Sequence, residues 1–326
     1  VDYDWFIVVV DDGSTDGTPD VVLEFAKATR RAELIERGAR LGLGSAIKTG
    51  MRACLNKGAK SIVVMDADLQ HPPSVVPNLV NAVLRNGADL AIASRYVKGG
   101  GIAGWSLRRY FISKGATYMA RLLMPWTRSI KDPISGFFAV NADKLRDVID
   151  MLSDSSGYKL ILELLTLMHA KYGGLFRVVE VPYVFRNRMY GVSKLSAHEL
   201  INYVQLVLKL SNYSVPKYLM SLVIGSIIGY LFFNALSGIN PIASNLISIE
   251  FSLITVITIY QILMGMKPQL QYYVKYHLIK YVAVAVKLVL YTVSTPTIIA
   301  LIISGIIQLL MTLRIITINP AIMHML

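Results

Sequence analysis

The sequence predicts an α/β domain followed by an all-α membrane domain of four transmembrane helices, and three observations predict it. Before position 195, short apolar runs alternate with stretches of helical spacing, the signature of a sheet covered by helices. From about 218 onward charged residues become scarce. Four apolar spans then follow, at 218–237, 242–264, 278–295 and 296–318, each near the roughly 20 residues that cross a bilayer. The expected division is an α/β domain over 1–195, an interfacial amphipathic segment over 196–213 and the transmembrane domain over 214–326.

Bulk composition narrows the function classes. At 54% hydrophobic over 326 residues, the composition argues against one soluble domain. The net charge of +12 invites nucleic acid, but no aromatic-basic binding motif accompanies it. Between Asp89 and Asp132 stand eight Lys or Arg and no acid, a face for phosphates or anionic lipid. The single cysteine, Cys54, permits no internal disulfide and suits a reducing cytosol.

Trp5-Phe-Ile-Val-Val-Val10 reads as a buried strand, and Asp11-Asp-Gly-Ser-Thr-Asp-Gly-Thr-Pro19 as the turn capping the next helix. Val21 to Arg31 is helical and Ala32 to Arg37 a strand. In Leu41-Gly-Leu-Gly-Ser-Ala-Ile-Lys-Thr-Gly50, the glycines read as close helix packing ahead of a dinucleotide fingerprint.

Ser61-Ile-Val-Val-Met65 is a further buried strand, broken after Asp66-Ala-Asp-Leu-Gln-His71 by Pro72-Pro73. Asp66, Asp68 and Gln70 follow at a two-residue step. In extended backbone they point the same way, an oxygen set for Mg2+ or Mn2+. The same carboxylates also serve to cap the helix opening near Pro73; their place past the carboxyl end of a strand favours ligand binding. Val75 to Arg85 is helical and Leu90 to Ser94 a strand. Arg95 opens a basic, glycine-rich loop, either solvated or phosphate-binding. Arg109 and Ser113 share a helix face. Gly157 to Tyr172 reads as a helix carrying Lys159, stopped by Gly173-Gly174, and Leu175 to Val181 as a strand.

Asp66-Ala-Asp-Leu-Gln-His-Pro-Pro73 resembles the metal-binding signature of family 2 glycosyltransferases, in the polyprenyl-phosphate branch that includes dolichol-phosphate mannose synthases. The run V-V-V-D-D-G-S-x-D-G-T ending at Thr18 is similar to that family's second strand and loop. Arg186-Asn-Arg-Met-Tyr-Gly-Val-Ser-Lys194 resembles its R-x-x-G-x-S-K lid, with one extra residue between Arg188 and Gly191. The resemblance implies a GT-A (Rossmann-like) fold. It implies that Val10 and Asp12 meet the nucleotide, with Asp16 structural, and that Asp66, Ala67, Asp68, Gln70, Arg95, Lys159, Arg188 and Lys194 bind the nucleotide sugar. It gives metal to Asp66, Asp68 and Gln70, and the acceptor phosphate to Arg95, Arg109 and Ser113. Catalysis would rest on Asp66, Asp68, Arg95, Arg109 and Ser113. Asp132-Pro-Ile-Ser-Gly-Phe-Phe138 matches the family's second carboxylate motif, as a base or in a structural or acceptor-site role.

The implied activity is metal-dependent, inverting transfer of mannose from GDP-mannose to dolichyl or other polyprenyl phosphate, with UDP-glucose as the alternative donor. A non-catalytic lipid-binding or translocation relative is the reading from another class. The family opens with a strand ending in P-x-Y-N-E; this chain begins at Val1 after it, so a missing first strand is expected.

Ser196 to Asn212 is amphipathic, lying on the membrane or packed on the soluble domain. The outer links near 237–241 and 292–296 carry no charge, while Lys267 to Lys280 holds three lysines and His277. Basic loops stay cytoplasmic, which places the catalytic domain there too. Glu250 and Lys287, inside the second and third spans, are expected to pair.

Overall fold

The computed structural model describes residues 3–153, 160–186, 197–236, 238, 241–292 and 312; of 241–243, 245–246, 280 and 283–292 only the backbone course is described. Two compact units emerge: residues 1–121 with 126–203, and 122–125 with 204–326.

The first unit is mixed α/β. Strands β1 (Ile7–Asp11) and β2 (Ala32–Glu36) pair in parallel, joined by helix α1 (Thr18–Thr29). Helix α2 (Leu43–Asn56) leads to β3 (Ser61–Val64), and α3 (Val76–Leu84) to β4 (Leu90–Ser94). After the short β5 (Gly101–Ile102) come α4 (Leu107–Leu123), β6 (Phe138–Asn141), α5 (Ala142–Arg146), α6 (Leu160–Tyr172), β7 (Val178–Pro182) and β8 (Val184–Phe185). The main sheet runs β3-β6-β4-β7, with β6 antiparallel to both neighbours and β7 parallel to β4. β5 pairs with β8.

Strand β4, wholly buried, sits inside this sheet and sorts its side chains by the two-residue period of a strand. Leu90 and Ile92 join Phe138, Val140, Met51 and Leu164 on one face. Ala91 and Ala93 join Phe137, Ala139, Leu79 and Val83 on the other, where small residues let α3 approach. The glycines of the second loop act in turn and packing. Gly42 caps α2 at φ 97°, and a Cβ on Gly50 would stand 3.3 Å from Val10 Cγ2.

Several boundaries differ from expectation. Trp5, Phe6 and Ile7 are more than 40% exposed, so the first strand is not buried at its start. The reason is that β1 has a strand partner on one edge alone among the described residues. Leu175 is 86% exposed on a 3-10 turn, and its strand begins at Val178. Gly173, in left-handed backbone at φ 56°, ends α6 and starts that turn.

The second unit is helical: α7 (Ala197–Leu210) enters it, then α8 (Ser214–Ala235), α9 (Pro241–Leu263) and α10 (Leu270–Thr292). Tyr203, in the half of α7 belonging to the first unit, donates its hydroxyl proton to the Ala116 carbonyl. That bond favours packing over a purely interfacial role for that half. Among the described residues only α8 is long and apolar enough to cross a membrane. The expected fourth span, 296–318, lies outside the described residues apart from Thr312.

α8 and α9 approach through small residues. A Cβ on Gly225 would stand 2.9 Å from the Ser252 carbonyl oxygen, and one on Gly229 2.7 Å from Ser252 Cβ. This is the close-packed small-xxx-small crossing of helices in apolar surroundings. The third helix begins at Leu270 rather than 278, because Tyr272, Tyr273, Tyr276 and Ile279 continue a helical face. His277, expected in a loop, is therefore helical, and its Nδ1 stands 3.3 Å from Glu250 Oε2. Glu250 thus has His277 as a neighbour; the expected partner Lys287 has its side chain outside the described residues.

Candidate active site

The site is assembled at strand exits. Past β3 the backbone does not stay extended: Leu69 stands at φ 62°, and Asp68 Oδ1 accepts the Gln70 amide proton at 3.0 Å. The expected pleat-driven alignment of Asp66, Asp68 and Gln70 is thus replaced by a tight bend. Gln70 is 3% exposed, and its Nε2 donates to the Arg186 carbonyl at 3.2 Å. The exposed Ala67 lies between the two aspartates.

No group of three His, Cys, Asp or Glu side chains stands together among the described residues, so no preassembled all-protein cage is seen. Two carboxylates and a side-chain amide within one five-residue bend nevertheless fit Mg2+ or Mn2+. Such ions take oxygen ligands and complete their shell with water or substrate phosphate.

His71 closes this bend. Its Nδ1 accepts the Asp66 amide proton at 2.9 Å. The ring stacks on Phe137 at 4.9 Å and 16°, with Tyr183 and Phe185 edge-on. Burial lowers its basicity against the pull of Asp66 and Asp68. Burial also pushes the Tyr183 phenol up to about 12.

The cationic side begins where β4 ends. Asp132, fully buried, accepts from Arg95 three times: the amide at 3.0 Å, Nε at 2.7 Å and Nη2 at 2.7 Å. Burial works against the guanidinium charge, but Asp132 outweighs it and holds the Arg95 proton more tightly than usual. Glu180 on β7 accepts the amides of Lys131 and Asp132 at 2.8 and 2.9 Å, fixing that turn. Both Asp132 oxygens are thus engaged by Arg95 inside the fold, an arrangement suited to a structural or acceptor-side role.

Arg109 on α4 lies over the Trp105 ring at 4.4 Å and Phe185 at 5.7 Å. Arg95 faces the same rings at 5.4 and 5.9 Å. One turn on from Arg109, Ser113 accepts the Tyr96 hydroxyl proton at 3.0 Å. Lys114 Nζ sits 3.5 Å over the Tyr96 ring. Phe185 is therefore a shared neighbour of the His71 ring, at 6.3 Å, and of both guanidiniums, at 5.9 and 5.7 Å.

No contact among the described residues ties Val10 or Asp12 to that cluster. Asp12 is held by Arg37 in a two-pronged pair, both bonds at 2.7 Å, and Arg37 also reaches Ser45 and the Gly42 carbonyl. Asp11 accepts the Gly13 and Ser14 amides; the Ser14 hydroxyl and amide hold its carboxyl below the usual range. Asp16 caps locally, on the Thr18 amide and hydroxyl. Lys159, Arg188 and Lys194 lie outside the described residues.

Sequence reasoning missed His71, Arg37, Glu180, Tyr96 and Phe185 as partners. Glu180 had a readable signal, an acid inside the apolar run Val178-Val-Glu-Val181. Arg37, Tyr96 and Phe185 offered none, and His71, though inside the Asp66–Pro73 run, has its aromatic neighbours at 137, 183 and 185, beyond any local pattern.

Residues 2–149 match the family model described as Glycosyl transferase family 2. The chain is 40% identical over 205 residues to the dolichol-phosphate mannosyltransferase of Pyrococcus furiosus, covering 63% of this chain and 54% of that one. It is 40% identical over 195 residues to the polyprenol monophosphomannose synthase of Mycolicibacterium smegmatis, covering 60% of this chain and 71% of the relative. The chain thus spans about half the length of the Pyrococcus relative. Among solved structures, the glucosyl-3-phosphoglycerate synthase of Mycobacterium tuberculosis with uridine diphosphate aligns at 20% identity and TM-score 0.42, over 63% of this chain and 68% of that one. With 40% identity across 71% of the mycobacterial relative, the chain belongs to glycosyl transferase family 2.

Proposed function

We propose that this protein transfers mannose from GDP-mannose to a polyprenyl phosphate such as dolichyl phosphate, with inversion, at the cytoplasmic face of a membrane. The observation that carries the reading is the shared wall at Phe185. Its ring neighbours both His71, which closes the oxygen-donor bend, and the guanidiniums of Arg95 and Arg109. The names of the two relatives support mannose as the sugar and a polyprenyl phosphate as the acceptor.

Asp66, Asp68 and Gln70 would hold Mg2+ or Mn2+, which when bound offsets the charge developing on the departing diphosphate. The acceptor phosphate is already anionic near neutral pH and is itself the nucleophile, so no general base is required. What it needs is orientation close to the anomeric carbon. Asp132 takes Nε and Nη2 of Arg95, which leaves the Nη1 side of the fork for a phosphate oxygen. Arg109 supplies a second guanidinium, held 4.4 Å over the Trp105 ring, and Ser113 a hydroxyl on the same helical face. Asp132 cancels most of the Arg95 charge, so Arg109 and Lys114 carry the net positive field. Arg188, Lys194 and Lys159 would act on the nucleotide sugar, and Val10 and Asp12 on its base and ribose.

Four membrane spans are proposed, with the catalytic domain, the 264–269 link and the carboxyl end in the cytoplasm. The α8 helix and the lysines around that link support this.

The test is sugar transfer by membranes carrying the full chain, offered labelled GDP-mannose or UDP-glucose with polyprenyl phosphate and Mn2+. Lipid-linked mannose, lost in Asp68→Ala, is expected. Lipid-linked glucose would keep the chemistry and replace the donor. No product from either donor would overturn the reading in favour of lipid binding or translocation.

A further inference from the structure

We propose that His71 is the positioning residue of the metal loop: its Nδ1 clasps the Asp66 amide and so sets the Asp66 and Asp68 carboxylates for a divalent cation. The inference rests on the metal reading above and extends it to a residue that would not itself touch the ion.

The clasp is geometric. An amide N–H can only donate, so Nδ1 is the acceptor in the 2.9 Å bond, and in a neutral ring the proton sits on Nε2. The bond runs from the end of the bend back to its start, closing residues 66–71 into a ring. Behind it the chain is stiff, because Pro72 and Pro73 restrict the backbone of His71 and of each other. The imidazole cannot swing: it is 3% exposed, stacked on Phe137, with Tyr183 at 6.0 Å and Phe185 at 6.3 Å.

The enclosed turn needs such a fixed end. Leu69 holds a left-handed conformation at φ 62° while its side chain is 56% exposed, so its own burial does little to secure it. Non-glycine residues stay in that region only where their surroundings over-determine it. The Asp68–Gln70 bond and the Gln70–Arg186 bond secure the far side. His71 secures the near side, at the residue whose carboxylate would be a ligand. Without it, mutual repulsion of Asp66 and Asp68 would open the bend, and a cation would have to reassemble it on binding.

The test is Mn2+ titration of the full chain in detergent with GDP present, following free Mn2+ by electron paramagnetic resonance and the thermal midpoint in parallel. His71→Phe keeps ring volume and stacking but removes the acceptor; His71→Asn returns an oxygen near the Nδ1 position. Loss of an orienting partner costs a metal site about 10-fold or more in affinity. The expectation is Mn2+ binding about 10-fold weaker in H71F and restored to within roughly 3-fold in H71N. Should H71F not fold, His71→Gln, whose polar atoms reach the Nε2 position instead, is expected to show the same weakening. Wild-type affinity in the folded variant lacking the acceptor overturns the clasp, as does an H71N as weak as H71F. A wild-type chain that takes up no Mn2+ overturns the metal reading and the clasp together; one that binds Mn2+ while H71F binds equally well overturns the clasp alone.

Discussion

Breaking the Arg95–Asp132 pair is expected to cost the α/β unit more stability than losing any exposed ion pair. The side chains are 9% and 0% exposed and share two bonds of 2.7 Å, with a third from the Arg95 amide. Removing one partner strands the other charge away from water, a cost of about 3–5 kcal/mol. For a unit of this size that lowers the thermal midpoint by about 6–20 °C, at roughly 2–4 °C per kcal/mol. Asp132→Asn is the gentlest perturbation, since its remaining oxygen can still accept the Arg95 amide. Arg95→Met strands the carboxylate instead. The double variant removes both charges and should recover most of the loss, because a buried pair is stabilising mainly relative to half of itself. Arg52–Asp150 serves as the control: the distance is 2.6 Å, but the side chains are 50% and 81% exposed, so Arg52→Ala should change little. Thermal midpoints of the full chain in detergent, with sugar transfer measured beside them, give the readout. Single variants that lose less than about 2 °C, or a double variant no better than the worse single, would refute the account. The double variant should stay inactive though folded, since Arg95 is also proposed to hold the acceptor phosphate.

Gly225→Val forces a side chain against the Ser252 carbonyl at 2.9 Å and should destabilise the helical unit by about 1–3 kcal/mol, read as a lower detergent unfolding midpoint. An unchanged midpoint would mean α8 and α9 separate freely at that point. Glu180→Gln weakens two amide bonds to the Asp132 turn and should lower the transfer rate while leaving GDP affinity intact; a fall in GDP affinity instead would move Glu180 to the donor side. His169 stacks on Trp126 at 5.8 Å, and burial depresses its pKa below the free value of about 6.5. As pH falls below about 6.5 the unfolded chain takes the proton first, so His169 removes stability between that pH and its folded pKa. His169→Gln should flatten the midpoint between pH 7.5 and 5.5 relative to wild type, in ~0.5-unit steps; an unchanged slope refutes the assignment.

The elements most legible in the sequence were those that local pattern alone determines. The run Leu-Ala-Ile-Ala-Ser at 90–94 is a buried strand whichever residues surround it. The Asp66–Gln70 segment was legible as a site because carboxylates followed by Pro72-Pro73 interrupt an apolar run. Its conformation was not: the bend at Leu69 depends on His71, and His71 on an aromatic cage whose members lie some 65 to 115 positions away, at Phe137, Tyr183 and Phe185. The start of α10 was misplaced for a related reason. Lys275, His277 and Lys280 read as a polar link, whereas the tyrosines between them bury one helical face, with Tyr276 bonded to Tyr218 at 2.9 Å.

The arrangement around Phe185 also answers a problem that the proposed chemistry poses. A diphosphate and an acceptor phosphate must both come near one anomeric carbon, and each repels the other. Flexible cations would drift toward whichever anion arrived first. Here the guanidinium of Arg95 is fixed by Asp132 and that of Arg109 lies on Trp105, so their positions are set before either substrate binds. The carboxylate bend is fixed separately, by His71, whose ring neighbours the same Phe185. Preorganised charge of this kind is most effective where water is excluded, because little reorganisation remains at the moment of reaction. Phe185 is 7% exposed and lies one residue before Arg186, whose carbonyl already holds Gln70. The Gln70 side-chain amide therefore ties the chain just past β8 to the carboxylate bend.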